Sequence, residues 1–119
     1  MEKLIYKIVD QEYWNTETAD GFFDGAPVDL NDGFIHFSTA AQLRETAQKH
    51  FKDQPNLLLV AVEANKLGER LRYEASRNND LFPHLYGSLK IDAVAWTREF
   101  LCTNCEPGHT PCMCTDLPA

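Results

Sequence analysis

Apolar and polar positions along the chain fall into runs that predict its elements. Leu4, Ile5, Ile8 and Val9, interleaved with Tyr6 and Lys7, predict a first strand over Leu4 to Val9. Asp10 stands where a helix N-cap belongs. The stretch Gln11 to Thr18 then carries Tyr13 and Trp14 on one side with acidic residues early, as a short helix favours at its positive end, and Gly21 closes it. Phe22 to Gly33 holds two glycines, a proline and four aspartates or asparagines, which predicts a loop packed around Phe22, Phe23, Val28 and Leu30. Gly33 to Ser38 alternates like a strand, and Ser38 or Thr39 caps a helix reaching about Lys52. Ala40, Leu43, Ala47 and Phe51 give that helix one buried stripe, with Arg44, Glu45, Gln48 and Lys49 outside it.

The second half reads mostly as strands. Asn56 to Glu63 contains an unbroken apolar run, the signature of a strand covered on both faces and so of a sheet's centre. Leu71 to Glu74 is a short strand, Ser76 to Asp80 a polar loop, and Ile91 to Leu101 a last strand. The order of elements predicts an α+β fold with helices set on a mainly antiparallel sheet.

Composition narrows the function classes. With 119 residues, 44% of them apolar and 24% charged, the chain can build one core, and it divides into an α+β domain over 1–101 and a Cys-rich tail over 102–119. Eighteen acidic against eleven basic residues leave a net charge of −7, the wrong field for duplex nucleic acid, though a small anion can still be held by local donors. The longest apolar run, Leu57 to Val62, is far short of the roughly 20 residues a membrane span needs. The start of the chain has no signal-peptide core, which places the protein in the cytoplasm, and no pattern specifies a protein partner. Every cysteine lies between Cys102 and Cys114, so no disulfide framework spans the domain.

Four constellations can carry chemistry. In Asp32-Gly33-Phe34-Ile35-His36-Phe37-Ser38-Thr39 a strand end meets a helix start, gathering free N–H groups, a hydroxyl and an imidazole; His36 and Ser38 project to one side. The plainer reading is a half-buried histidine beside a capping serine. Glu74 and Arg77 bracket a small loop, where a carboxylate can hold a ribose diol and a guanidinium an anion, or where the two simply pair on the surface. Phe82-Pro83-His84-Leu85-Tyr86-Gly87 presents His84 and Tyr86 together, either as a wall for a planar ligand or as a proline-stiffened core segment. The tail residues Cys102, Cys105, His109, Cys112 and Cys114 come within one residue of a zinc-knuckle spacing, or else form a reduced flexible tail. His50 reads as a surface or boundary residue of its helix.

The Asp32–Ser38, Glu74–Arg77 and Phe82–Tyr86 segments, together with Leu4-Ile5-Tyr6-Lys7-Ile8, Asp29-Leu30, Glu45-Thr46-Ala47, Phe51 and Val62-Glu63-Ala64, closely resemble the bacterial family named domain of unknown function 952, over about Lys3 to Val94, while the cysteine tail departs from it. The resemblance implies a fold like that of the ADP-ribosyltransferases, a strongly bent, split antiparallel sheet that holds an NAD-like ligand in a central cleft. Leu4-Ile5-Tyr6-Lys7 then stands for the superfamily's Leu-Tyr-His-Gly strand, with Lys7 in place of the histidine, and Gly33-Phe34-Ile35-His36-Phe37-Ser38 for its second strand. Glu74 resembles the late glutamate that orients the ribose. The resemblance implies a catalytic set of His36, Ser38, Glu74 and His84, a ligand-binding set of Tyr6, Lys7, Gly33, Phe34, Arg77, Phe82 and Tyr86, and no metal. The implied activity is transfer or cleavage at an N-glycosidic carbon of an NAD-like or ADP-ribose-like nucleotide. The alternatives are a non-catalytic nucleotide sensor and a protein-interaction module with a zinc-binding tail.

Overall fold

In the computed structural model, which describes residues 3–51, 54–75 and 80–100, the chain runs through β1 (Leu4–Asp10), α1 (Gln11–Glu17), β2 (Phe22–Phe23), α2 (Pro27–Asp32), β3 (Ile35–His36) and α3 (Ala40–His50). It continues through β4 (Leu57–Glu63), β5 (Leu71–Ala75), β6 (Leu81–Leu85), β7 (Leu89–Lys90) and β8 (Val94–Phe100). All strand pairs are antiparallel, so the predicted α+β class with antiparallel sheets is the class observed. Among the described residues no helix is long and apolar enough to cross a membrane. Arg77 and the cysteine tail lie outside the described residues.

The apolar run of β4 is the centre of the sheet β1-β4-β8, as its sequence predicts. Alternation along the strand sends Leu57, Leu59 and Ala61 toward Tyr6, Ile8 and the α3 stripe of Leu43 and Ala47. Leu58, Val60 and Val62 face a second core of Ile5, Val9, Trp14, Phe23, Ile35, Phe37, Leu85 and Leu89. Each fully buried aliphatic side chain contributes about 1.5–3 kcal/mol, so β4 anchors both cores.

A second three-stranded sheet, β3-β6-β5, is joined to the first, among the described residues, by a bridge at Ser38. Tyr6 N–H donates to Ser38 O and Ser38 N–H donates to Tyr6 O, both at 2.8 Å. One residue earlier, Phe37 N–H donates to the carbonyl of Pro83 on β6 at 2.9 Å. The segment 35–38 therefore crosses from one sheet to the other. For this reason the strand expected over Gly33 to Ser38 is regular only at Ile35–His36.

The expected loop from Phe22 to Gly33 is corrected to a short strand and a helix. Pro27 at the first helical position presets φ, Asp29 reaches back to accept from Ala26 N–H at 2.8 Å, and Gly33 closes α2 at φ 89° with its N–H on Asp29 O. These caps outweigh a loop-like composition. Only Phe23 of the four apolar residues is buried; Phe22, Val28 and Leu30 are exposed. Helix α1 is capped by Asp10, which accepts from Tyr13 N–H at 2.9 Å, and α3 starts after Thr39 and ends at His50, short of the expected Lys52.

Candidate functional site

Strand geometry gathers the candidate residues on one face of the second sheet. His36 on β3 is registered opposite His84 on β6, and His84 opposite Arg72 on β5; two residues along, Phe82 faces Glu74. Side chains two apart on a strand point the same way. Phe34 stacks on the His84 ring with centroids 4.2 Å apart and planes at 28°, and lies 5.2 Å from Tyr86 and 4.6 Å from His36.

Beneath these rings sits Asp29, a residue the sequence reading left without a role. Its side chain is fully buried, yet its carboxylate faces four donors. Oδ2 accepts from Lys7 Nζ and from Ala26 N–H, each at 2.8 Å; Oδ1 accepts from His36 N–H at 3.1 Å and lies 2.6 Å from His36 Nδ1. Lys7 also donates to His36 O at 3.0 Å. Gly25, at φ 123°, lets the backbone close over this carboxylate, since a Cβ there would sit 2.7 Å from Asp29 Cβ.

Burial works against the Asp29 charge, but the hydrogen bond from His36, the charge and hydrogen bond of Lys7 and the Ala26 N–H together hold its pKa at about 2. Burial likewise pushes the Lys7 ammonium below the usual lysine range, with Asp29 opposing. A carboxyl with a depressed folded pKa stabilises the fold above its unfolded value of 3.8 and loses that contribution as pH falls toward about 2. The expected loss from this group is about 2 kcal/mol, at 1.36 kcal/mol per pKa unit. Urea unfolding of wild type between about pH 5 and about pH 2 measures it, and stability that is flat across that window would contradict the assignment.

The two histidines differ in what they leave available. His36 has both ring nitrogens occupied, Nδ1 by Asp29 and Nε2 by Asp32 Oδ2 at 3.1 Å. His84 has only Nδ1 engaged, by Glu74 Oε1 at 2.8 Å, and no described residue hydrogen-bonds its Nε2, although the residue is 5% exposed. Tyr86 Oη donates to the same Glu74 oxygen at 2.7 Å. The hydrogen bonds from Tyr86 first and His84 second hold Glu74 below the usual carboxylate range, and Glu74 in turn raises Tyr86. In the neutral ring, donation from Nδ1 to Glu74 makes Nε2 an acceptor.

A cleft of about 630 Å³ opens between α3, β1 and the second sheet. Of the eleven expected site residues, Tyr6, Lys7, His36, Ser38, Phe82 and His84 line it. Glu74, Phe34 and Tyr86 stand behind or beside His84 rather than in the cleft, Gly33 is the α2 cap, and Arg77 is outside the described residues. Ser38 Oγ is paired with Thr46 Oγ1 at 3.1 Å. Asp29, Thr46 and His50 line the cleft unanticipated; the signal for Asp29 was its place two residues after Pro27, where a helix-capping carboxylate belongs. Among the described residues no group of three or more His, Cys, Asp and Glu is arranged to hold a metal ion.

The fold is similar to solved structures. The X-ray crystal structure of protein CC0527 from Caulobacter crescentus is similar at 50% identity over 81% of this chain and 84% of that one, with a TM-score of 0.78. The solution NMR structure of CC0527 is similar at 48% identity over 83% and 85%, with a TM-score of 0.74. No curated protein matches the chain. A family profile matches residues 8–97, close to the span expected from the sequence, and the chain therefore belongs to the family described as protein of unknown function (DUF952).

Proposed function

We propose that the cleft binds a small nucleotide-like ligand of the NAD or ADP-ribose type and that His84 is the residue that receives it. The observation that carries this reading is a buried imidazole in the cleft wall, oriented by Glu74, whose Nε2 has no hydrogen-bonding partner among the described residues. A buried polar atom without a partner costs about 1–3 kcal/mol, which a ligand hydroxyl or N–H would recover.

The surroundings suit such a ligand. The volume falls in the range of small-molecule sites, about 300–1,000 Å³. Phe37, Leu43, Phe51 and Phe82 offer an apolar wall for a base, and the Ser38–Thr46 hydroxyl pair can exchange hydrogen bonds with a ribose. The likeness of the strand motifs to the ADP-ribosyltransferases supports the same ligand class. In this reading Glu74 positions His84 instead of touching the ribose, and with NAD the His84 Nε2 takes the proton of an attacking hydroxyl as its oxygen bonds the anomeric carbon and the C–N bond breaks, the electron pair leaving on nicotinamide.

The test is a thermal-shift and calorimetric titration of wild type and His84→Ala with NAD and ADP-ribose. A ligand that binds only the folded chain stabilises it by about 2.7 kcal/mol at a hundredfold excess over Kd. The expected result is a clear wild-type shift and an affinity at least about tenfold weaker in the variant, the loss of one desolvated hydrogen bond. No shift with either ligand, or equal shifts in both proteins, would overturn the reading.

A further inference from the structure

Resting on that reading, we infer that the deep part of the cleft takes the uncharged ribosyl–base portion of the ligand and that phosphate groups stay outside it. Among the described residues the lining contains one lysine or arginine, Lys7, and its ammonium is already used. It lies 2.8 Å from Asp29 Oδ2 and 3.0 Å from His36 O, and the residue is 7% exposed. To reach it a phosphate must displace a carboxylate that three further donors hold in place: Ala26 N–H, His36 N–H and His36 Nδ1.

The rest of the lining points the same way. Each histidine at the junction of the two sheets already has a carboxylate on it: His36 has Asp29 and Asp32, and His84 has Glu74. Within the cleft the Lys7 ammonium is matched by the Asp29 carboxylate, which leaves no net positive charge there to draw a further anion. The group left for a ligand is His84 Nε2, which in the neutral ring with Nδ1 donating to Glu74 accepts, matching a donor such as a ribose hydroxyl and not a phosphate oxygen. The neighbouring Ser38 and Thr46 hydroxyls donate and accept, again suiting a diol.

Matched pairs test this: adenosine with its 5′-monophosphate, nicotinamide riboside with its 5′-monophosphate, and ADP-ribose and NAD beside them, titrated by calorimetry at low and high salt. Taking the ratio within each pair cancels any preference for the base. The expected result is that at least one nucleoside binds no more than about threefold more weakly than its monophosphate, with little salt dependence, because no charge-assisted phosphate contact is made. A monophosphate or ADP-ribose at least about tenfold tighter than every nucleoside, weakening with salt, would overturn this inference while leaving the binding reading intact. If none of the six compounds binds, both fall together.

Discussion

Replacing Asp29 by alanine is expected to cost about 3–5 kcal/mol, a large share of the roughly 5–15 kcal/mol by which folded domains are stable, because one partner of a buried charge cluster is removed and the others remain. The substitution strands the Lys7 ammonium, 7% exposed, with a single carbonyl as its hydrogen-bond partner. It also frees His36 Nδ1 and two backbone N–H groups, of Ala26 and His36, from the only side-chain oxygens that serve them. Asp29→Asn tests the charge separately from the shape. An amide keeps one acceptor and turns the other position into a donor facing either Lys7 or His36, so most of the loss is expected to persist. Urea unfolding at neutral pH measures both variants. A cost below about 1 kcal/mol for Asp29→Ala would mean that solvent reaches the cluster and that the carboxylate does not fix the junction between the sheets.

The sequence announced the elements that depend on local pattern and was silent on the contacts that depend on closure. The central strand was legible because Leu57 to Val62 is apolar at every position, and α3 because Leu43 and Ala47 recur at helical spacing. His36 and Ser38 were legible as neighbours because alternate positions on a strand share a face, whereas His84 joins them only through the pairing of β3 with β6. Helix α2 was not legible, since its aspartates and the flanking Gly25 and Gly33 resemble loop chemistry until Pro27 and Asp29 are read as a cap. The partners of His36 were hidden for the same reason: Asp29 is seven residues away in sequence and reaches the ring only when α2 folds back under β3. The ribose role read for Glu74 came from its position at a strand end, which did not show that the register of β5 against β6 also brings it to His84. Spacing gives the face of a strand; it does not give the partner strand or the register.

The second large effect is expected at Lys7. Its neighbours Ile5 and Val9 face the inner core, so a lysine in this row is an apolar stem carrying a charge that must be paired on arrival. Lys7→Met keeps the length of the stem and removes the ammonium. Asp29 then keeps the His36 ring and two N–H donors but loses its full positive partner, and the expected cost is about 3 kcal/mol, at the lower end for a broken buried pair. Combined with Asp29→Asn the two costs are expected to fall short of their sum by about 1–3 kcal/mol, because the second substitution removes a charge already left unpaired by the first. Strict additivity would show that Lys7 acts through His36 O alone. The same variant separates structure from ligand binding. The proposed transferase likeness would set Lys7 at the place of a first-strand histidine, yet its ammonium is directed to Asp29 and the backbone. Lys7→Met, assayed at a temperature where it is folded, is therefore expected to retain nucleoside affinity within about threefold, while His84→Ala loses at least about tenfold. An equal loss in both would make Lys7 a ligand contact and return the first strand to the role the resemblance implies.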